Sequence, residues 1–166
     1  MPEPATPTTI DVAISLGCLG FWLAAYVLII KRGCQDKSYG MPVGALCANL
    51  AWEFLLEFVF EAPYPSFRIG YILWLSFDFV ILYTVLKFGR EDFENAFMRK
   101  WLLWLIPLGV IVAGIAEWAF MTTYNDVWGT VLGWLLDLII LGSLIGMLLR
   151  RNNSKGQSVY IALFIL

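Results

Sequence analysis

The chain contains no histidine and carries very little charge for its length. Of its 166 residues, 14% are charged and 60% are hydrophobic, whereas about a quarter of a soluble domain is charged. The lack of histidine excludes histidine-ligated haem, the usual copper and iron sites, and histidine acid–base catalysis. The net charge of -2 and the scattering of basic residues between apolar runs give no reason to expect a nucleic-acid partner.

Cysteine is also scarce. Cys18 and Cys47 lie inside apolar stretches, and Cys34 lies in a short basic loop. No CxxC spacing occurs, so the sequence predicts neither a disulfide framework nor a zinc site. It also lacks a glycine-rich phosphate loop and a nucleophile elbow. The residues therefore give no signature of a zinc site, of a phosphate-binding loop or of a nucleophile elbow.

Long apolar runs dominate what is present. Five are long enough to cross a bilayer, which takes about 20 helical residues; they cover residues 10–30, 41–60, 69–88, 101–121 and 127–149. A sixth run begins at Val159 and is too short to span before the sequence stops at Leu166. We therefore expect an all-α membrane protein, with a tail over residues 1–9 and one transmembrane helical bundle over residues 10–166. Its five full spans and partial sixth suggest a sequence that stops short of a natural C-terminus.

The basic residues predict how the bundle is oriented. Ten of the eleven lie on alternate loops: Lys31, Arg32, Lys37, Lys87, Arg90, Arg99, Lys100, Arg150, Arg151 and Lys155. Loops rich in Lys and Arg stay on the cytoplasmic side. The sequence therefore predicts a multi-pass membrane protein with its N-terminus outside.

Five carboxylic acids lie inside the predicted spans: Glu53, Glu57, Asp78, Glu117 and Asp137. No basic residue is expected at that depth to pair with them. A charge at the bilayer centre costs about 2.5–3.5 kcal/mol on insertion scales. We therefore expect these acids to be protonated, and a protonated carboxyl group in a dry site can donate its proton.

Helical spacing places several polar side chains on shared faces. The groups are Asn49, Glu53 and Glu57 on the second span; Tyr71, Trp74 and Asp78 on the third; and Thr130, Trp134 and Asp137 on the fifth. Lipid cannot satisfy polar groups, so these faces are expected to point into the bundle.

The acids are not expected to be equivalent. Glu53 and Asp78 lie deepest among aromatic residues and are the candidate catalytic pair, whereas Glu117 and Asp137 either bind substrate or hydrogen-bond neighbouring helices. Glu57 is expected nearer the outer interface, beside Glu61 and in contact with solvent. Four tryptophans lie within four residues of an acid and form either a pocket wall or a lipid-facing surface: Trp52, Trp74, Trp118 and Trp134.

Four segments together resemble a known family. They are Ser38-Tyr39-Gly40-Met41-Pro42, Asn49-Leu50-Ala51-Trp52-Glu53-Phe54, Leu73-Trp74-Leu75-Ser76-Phe77-Asp78 and Gly156-Gln157-Ser158. They resemble the integral-membrane terpene cyclases of fungal meroterpenoid and indole-diterpene pathways, and their bacterial relatives in indole sesquiterpenoid pathways. The resemblance extends from about Asp11 to the end of the sequence.

The resemblance implies a seven-helix bundle that works without a metal or an organic cofactor, in a bacterial plasma membrane or a fungal endomembrane. Such an enzyme folds a linear prenyl chain, often attached to an indole or a polyketide, and protonates an epoxide or terminal olefin. The family's glutamate on the second helix matches Glu53. Its aspartate on the last helix has no counterpart in this sequence.

The residues themselves fit this chemistry. Glu53 would supply the proton, with Asn49 orienting its carboxyl group, and aromatic faces would stabilise the cation. The remaining predicted substrate-binding residues are Trp52, Tyr71, Trp74, Glu117, Trp118, Trp134 and Asp137. The expected partners are a lipophilic prenylated substrate that enters from the bilayer and the membrane lipids; the oligomeric state is left open. Two alternatives are a proton-coupled transporter and a non-catalytic membrane partner protein.

Overall fold

The computed structural model describes residues 8–60, 65–93 and 95–165, and within these ranges every regular element is an α-helix. The helices are α1 (Thr9–Asp36), α2 (Val43–Phe58), α3 (Pro65–Asp92), α4 (Ala96–Tyr124), α5 (Thr130–Arg151) and α6 (Val159–Ile165). The predicted all-α class is confirmed. Residues 1–7, which belong to the predicted tail, lie outside the described residues.

The predicted number of full spans is wrong by one. Four of the described helices, α1, α3, α4 and α5, are long and apolar enough to cross a membrane. Helix α2 has 16 residues and is about 24 Å long, less than the core thickness of about 30 Å. It is shorter than the apolar run because Pro42 has an extended ψ of 134° and holds the preceding residue outside the helix.

Side-chain caps fix where α4 and α5 begin. Asn95 precedes α4 and accepts a hydrogen bond from the backbone N–H of Phe97 at 2.8 Å. Asp126 accepts from the backbone N–H groups of Thr130 (3.0 Å) and Leu132 (2.9 Å), which starts α5. Both caps satisfy backbone donors that have no partner inside the helix.

Helix α2 lies at the centre of the described bundle and packs against α3, α4 and α5, while α1 packs against α3 and α6. Within the described ranges, no Cα atom of α1 lies within 8 Å of a Cα atom of α2 or α5. The space that this leaves between α1, α2, α3 and α5 holds the candidate site.

The loops that follow α1 and α5 meet at the basic end of the bundle. The guanidinium of Arg151 lies 4.0 Å from the Tyr39 ring centroid and 3.5 Å from an Asp92 oxygen, and it donates to the Tyr39 carbonyl at 3.2 Å. The backbone N–H of Gly156 donates to Asp36 at 2.9 Å. We call these five residues the loop junction. It joins two of the segments that carry the family resemblance, residues 38–42 and 156–158.

Candidate active site

A cavity of about 570 Å³ lies between α1, α2, α3 and α5. Its volume falls within the range of about 300–1,000 Å³ that is usual for small-molecule sites. Its lining is largely apolar and aromatic, and it includes two carboxylic acids, Glu53 on α2 and Asp137 on α5. The cavity therefore combines the shape of a lipophilic ligand site with a small number of ionisable groups.

Glu53 is held at the cavity by two hydrogen bonds to one of its oxygens. Its Oε1 accepts from the Tyr26 hydroxyl at 2.8 Å and from Asn49 Nδ2 at 2.9 Å. Its Oε2 is buried and has no hydrogen-bond partner among the described residues. Burial of such an atom is unfavourable unless a ligand satisfies it. The carboxyl group is thus fixed at one oxygen and free at the other.

Asn49 connects both predicted catalytic acids. Its Nδ2 lies 2.6 Å from the Tyr26 hydroxyl oxygen, 2.9 Å from Glu53 Oε1 and 2.9 Å from Asp78 Oδ2. A carboxamide nitrogen carries two hydrogens, so these three acceptors compete for two donors. Asp78 is fully buried and is not part of the cavity lining, so it contacts the site through Asn49.

Aromatic rings form the wall of the cavity next to Glu53. The Trp52 ring lies 6.0 Å from Tyr71 and 6.3 Å from Trp74, between ring centroids, and Tyr71 lies 5.9 Å from Trp74. On the α1 side, Trp22 lies edge-on to Tyr26 at 5.5 Å. These rings can present electron-rich faces to a cation formed in the cavity.

Two glycines of α5 make room for the Trp52 indole. A Cβ at Gly129 would lie 2.7 Å from Trp52 Nε1, and a Cβ at Gly133 would lie 3.1 Å from Trp52 Cζ2. The indole N–H donates to the Gly129 carbonyl at 3.2 Å. Trp52 is therefore packed closely on the start of α5.

The predicted polar face of α5 borders the same cavity. Thr130, Trp134 and Asp137 all line it, opposite residues of α1. Trp134 has 71% of its surface exposed, so its ring forms part of the rim and not of an enclosed wall. Asp137 is partly buried and is the second carboxyl group that the cavity contains within the described chain.

Glu57 does not have the predicted environment. The sequence predicts that Glu57 contacts solvent and that none of the five acids has a basic partner, and both predictions are wrong. Its side chain is only 2% exposed, and Arg68 Nη2 lies 3.0 Å from its Oε1. Arg68 lies in the first turn of α3, from which its long side chain reaches Glu57 near the end of α2. Glu61, the other acid expected there, lies outside the described residues.

The remaining predicted residues lie away from the cavity. Glu117 on α4 is buried, and its Oε2 has no hydrogen-bond partner in the described part of the chain. Trp118 is half-exposed on the same helix. Neither residue belongs to the cavity lining, because α4 packs on the other side of α2.

Tyr26 contributes to the site but was not identified from the sequence. It lies in the middle of an apolar span, where a single tyrosine fits packing as well as chemistry. The signal that could have identified it is its depth: it is a hydroxyl-bearing residue far from either end of α1, and a buried hydroxyl needs a hydrogen-bond partner. In the structure Tyr26 is 1% exposed and contacts Glu53.

Comparison with known proteins matches this architecture to one family. The family described as Pyr4-like transmembrane terpene cyclases matches residues 2–164. Among curated relatives, the Pyr4-family terpene cyclase mfmH of Annulohypoxylon moriforme is 37% identical over 148 residues, which cover 85% of this chain and 60% of the relative. The terpene cyclase pyr4 of Aspergillus fumigatus is 26% identical over 145 residues, which cover 84% of this chain and 59% of the relative.

A third relative, the terpene cyclase ascF of Acremonium egyptiacum, is 32% identical over 126 residues, or 73% of this chain and 45% of the relative. The chain thus spans about 60% of the length of the first two relatives. No solved structure matches the chain.

Proposed function

We propose, from the premise that this chain belongs to the family of Pyr4-like transmembrane terpene cyclases, that Glu53 starts the cyclisation of a linear prenyl chain by protonating it. The chain is an integral membrane protein. The proposed substrate carries an epoxide or a terminal olefin on the prenyl chain, which is attached to an indole or polyketide group. The curated relatives are named terpene cyclases, and the activity is proposed for this chain on the basis of its site.

The observation that carries the proposal is the asymmetry of the Glu53 carboxyl group. Oε1 has two protein donors, whereas Oε2 has no partner in the described structure and belongs to a residue that lines the cavity. A neutral carboxyl group in this arrangement carries its proton on Oε2, because Oε1 is occupied as an acceptor. The acidic proton then has no competing acceptor among the described residues, and the Glu53 side chain borders the cavity in which we place the substrate.

The proposed reaction is an isomerisation. The proton of Glu53 moves to the epoxide oxygen, a C–O bond breaks with its electron pair on that oxygen, and the resulting carbocation is attacked by successive double bonds. The last cation loses a proton from carbon, and return of a proton to the Glu53 carboxylate restores the acid, so the substrate and the product have the same atoms. When the substrate is an olefin, the first proton adds to carbon instead. General acid catalysis of this kind contributes about 10²–10⁴-fold to a rate.

The aromatic wall supports the later steps. Trp52, Tyr71 and Trp74 surround the space beside Glu53, and a ring face attracts a cation by its quadrupole. Trp74 Nε1 is buried without an acceptor among the described residues. An oxygen of the substrate would satisfy this donor, and an apolar cavity limits quenching of the cation by water.

The space between α1 and α5 supports substrate entry from the bilayer. The two helices do not approach each other in the described chain, and both contribute lining residues that are largely exposed, such as Ile14 at 65% and Trp134 at 71%. A prenyl chain dissolved in lipid could enter there without crossing water.

The test is product formation by membranes that contain the chain. The probes are an epoxidised farnesyl phenol and a farnesylated indole. We expect a cyclised product with the mass of the substrate, resolved by chromatography and mass spectrometry, and no such product in membranes without the chain. Absence of product together with a Glu53-dependent proton flux in liposomes would instead support the transporter. Absence of both would support a non-catalytic partner.

Replacing Asp137 by asparagine is expected to weaken substrate binding more than catalysis. Asp137 lines the cavity from α5, on a different helix from Glu53, so we assign it to the polar end of the substrate. A hydrogen bond between neutral groups contributes about 0.5–1.5 kcal/mol, so we expect KM to rise by up to about tenfold with kcat nearly unchanged. Steady-state kinetics with the epoxidised farnesyl phenol measure this. A fall in kcat at constant KM would contradict the assignment.

We also propose that the loop junction faces the cytoplasm and the N-terminus lies outside, as the basic loops predict. Cys34 is exposed near the end of α1, while Cys47 is buried. A membrane-impermeant maleimide is therefore expected to label Cys34 in inside-out vesicles and to leave it unlabelled in right-side-out vesicles. Cys34→Ser provides the control for labelling at other cysteines. Labelling in right-side-out vesicles only would reverse the orientation.

A further inference from the structure

We infer that Tyr26 is a positioning residue that increases the acidity of Glu53 by stabilising the carboxylate left after proton transfer. The inference rests on the proposed function of Glu53. It assigns a role in the reaction to α1, which contacts α2 through the Tyr26 side chain, while no Cα atoms of the two helices lie within 8 Å in the described structure.

The contacts of Tyr26 fix its hydroxyl against Glu53. The hydroxyl donates to Glu53 Oε1 at 2.8 Å and accepts from Asn49 Nδ2 at 2.6 Å. The ring is 1% exposed and packs between Trp22, edge-on at 5.5 Å, and Phe77, stacked at 6.2 Å. Packing on both sides leaves the ring little rotational freedom, so the donor is already in place before the reaction.

The two donors of Glu53 are not equivalent. Asn49 has two N–H hydrogens for three acceptors, and one of those acceptors is Asp78. The Tyr26 hydroxyl has one hydrogen, and Glu53 Oε1 is the acceptor that the structure gives it. The hydrogen bond from Tyr26 therefore goes to Glu53 Oε1, and the Asp78 carboxyl group also interacts with the Tyr26 hydroxyl.

The effect of this bond grows as the proton leaves. While Glu53 is neutral, Tyr26 donates to a carbonyl oxygen. When Oε2 loses its proton, negative charge spreads to Oε1, and a hydrogen bond to an ionised acceptor is roughly twice as strong as one between neutral groups. An interaction that is stronger in the transition state than in the ground state raises kcat and leaves substrate binding almost unchanged.

The test combines an infrared measurement, which needs no substrate, with kinetics. The carbonyl stretch of the protonated Glu53 carboxyl group is identified as the band lost in Glu53→Gln. In Tyr26→Phe this band is expected to move to higher wavenumber, because Oε1 loses a donor. With the epoxidised farnesyl phenol, kcat is expected to fall about 10–100-fold with KM unchanged. Tyr83→Phe is the matched control, since Tyr83 is exposed on α3, and it should change neither quantity.

A second substitution keeps the inference testable if Tyr26→Phe does not fold. 3-Fluorotyrosine at position 26 keeps the ring and has a more acidic hydroxyl that donates more strongly. The Glu53 band is then expected to move to lower wavenumber.

Three outcomes would contradict the inference. The inference is wrong if the Glu53 band stays in place in both Tyr26 variants, or if Tyr26→Phe has the same kcat as Tyr83→Phe. In both cases the proposed role of Glu53 stands as long as Glu53→Gln still loses product formation. A wild-type protein that forms no cyclised product would instead overturn the proposed function and this inference together.

Discussion

Replacement of Glu53 by glutamine is expected to reduce cyclisation about 10²–10⁴-fold. Glutamine has almost the same shape as glutamic acid, and its oxygen can still accept from Tyr26 and Asn49 at the positions seen for Oε1. It has no acidic proton to give to an epoxide or an olefin. The hydrogen bonds and packing therefore remain while the chemistry is lost, and this combination gives the largest catalytic effect that we expect.

The measurement is kcat for the epoxidised farnesyl phenol in membranes with equal amounts of folded protein. The matched control is Glu91→Gln, which makes the same change of atoms at an exposed position at the end of α3. We expect the control to retain the wild-type rate. Product formation by Glu53→Gln at the rate of the control would rule out Glu53 as the general acid.

The fold class and the family could be predicted from the sequence because both depend on local patterns. Apolar runs of about 20 residues mark most of the helices, and the resemblance to fungal membrane terpene cyclases is confirmed by the family match. The predicted number of full spans is wrong because of α2. The apolar run there is longer than the helix, and the backbone at Pro42 is extended and not helical. Apolar composition sets where a chain can be buried, and not where a helix must begin.

The sequence predicts contacts of the site within one helix and misses those between helices. Asn49 and Glu53 are four residues apart, so their hydrogen bond at 2.9 Å follows from the helix itself. Tyr26 and Arg68 contact acids on α2 from other helices. Those contacts depend on the rotation of α1 and α3 about their axes, which spacing along one chain segment does not determine. Tyr26 was missed and Arg68 was left unpaired for this reason.

The segments that carry the family resemblance serve two different structural purposes. Asn49 and Glu53 belong to the cavity, and Trp74 forms its wall. Residues 38–42 and 156–158 instead meet at the loop junction, where Tyr39 is buried against Phe93 and Arg151. A motif that this chain shares with the family can therefore mark a structural contact between two loops as well as a reactive group.

Replacement of Gly156 by alanine is expected to destabilise the folded protein by about 2–4 kcal/mol. Gly156 has a φ of +74°, which disfavours any residue with a side chain, and a Cβ there would lie 2.7 Å from the Tyr39 carbonyl oxygen. That neighbour is backbone and cannot rotate away. Alanine at the facing position, Gly40, meets the same obstacle, because a Cβ there would lie 2.5 Å from the Gly156 carbonyl oxygen. The two loops can approach this closely only with glycine at both positions.

The measurement is the free energy of unfolding in detergent micelles, followed by helical circular dichroism against denaturant. Gly146→Ala is the matched control: Gly146 lies inside α5, and a Cβ there would have no neighbour within 4 Å. Alanine stabilises an unobstructed helix position by about 0.5–1 kcal/mol relative to glycine. The two alanine substitutions should therefore change stability in opposite directions. If Gly156→Ala unfolded at the wild-type denaturant concentration, the loop junction would not have the close backbone contact that the structure gives it.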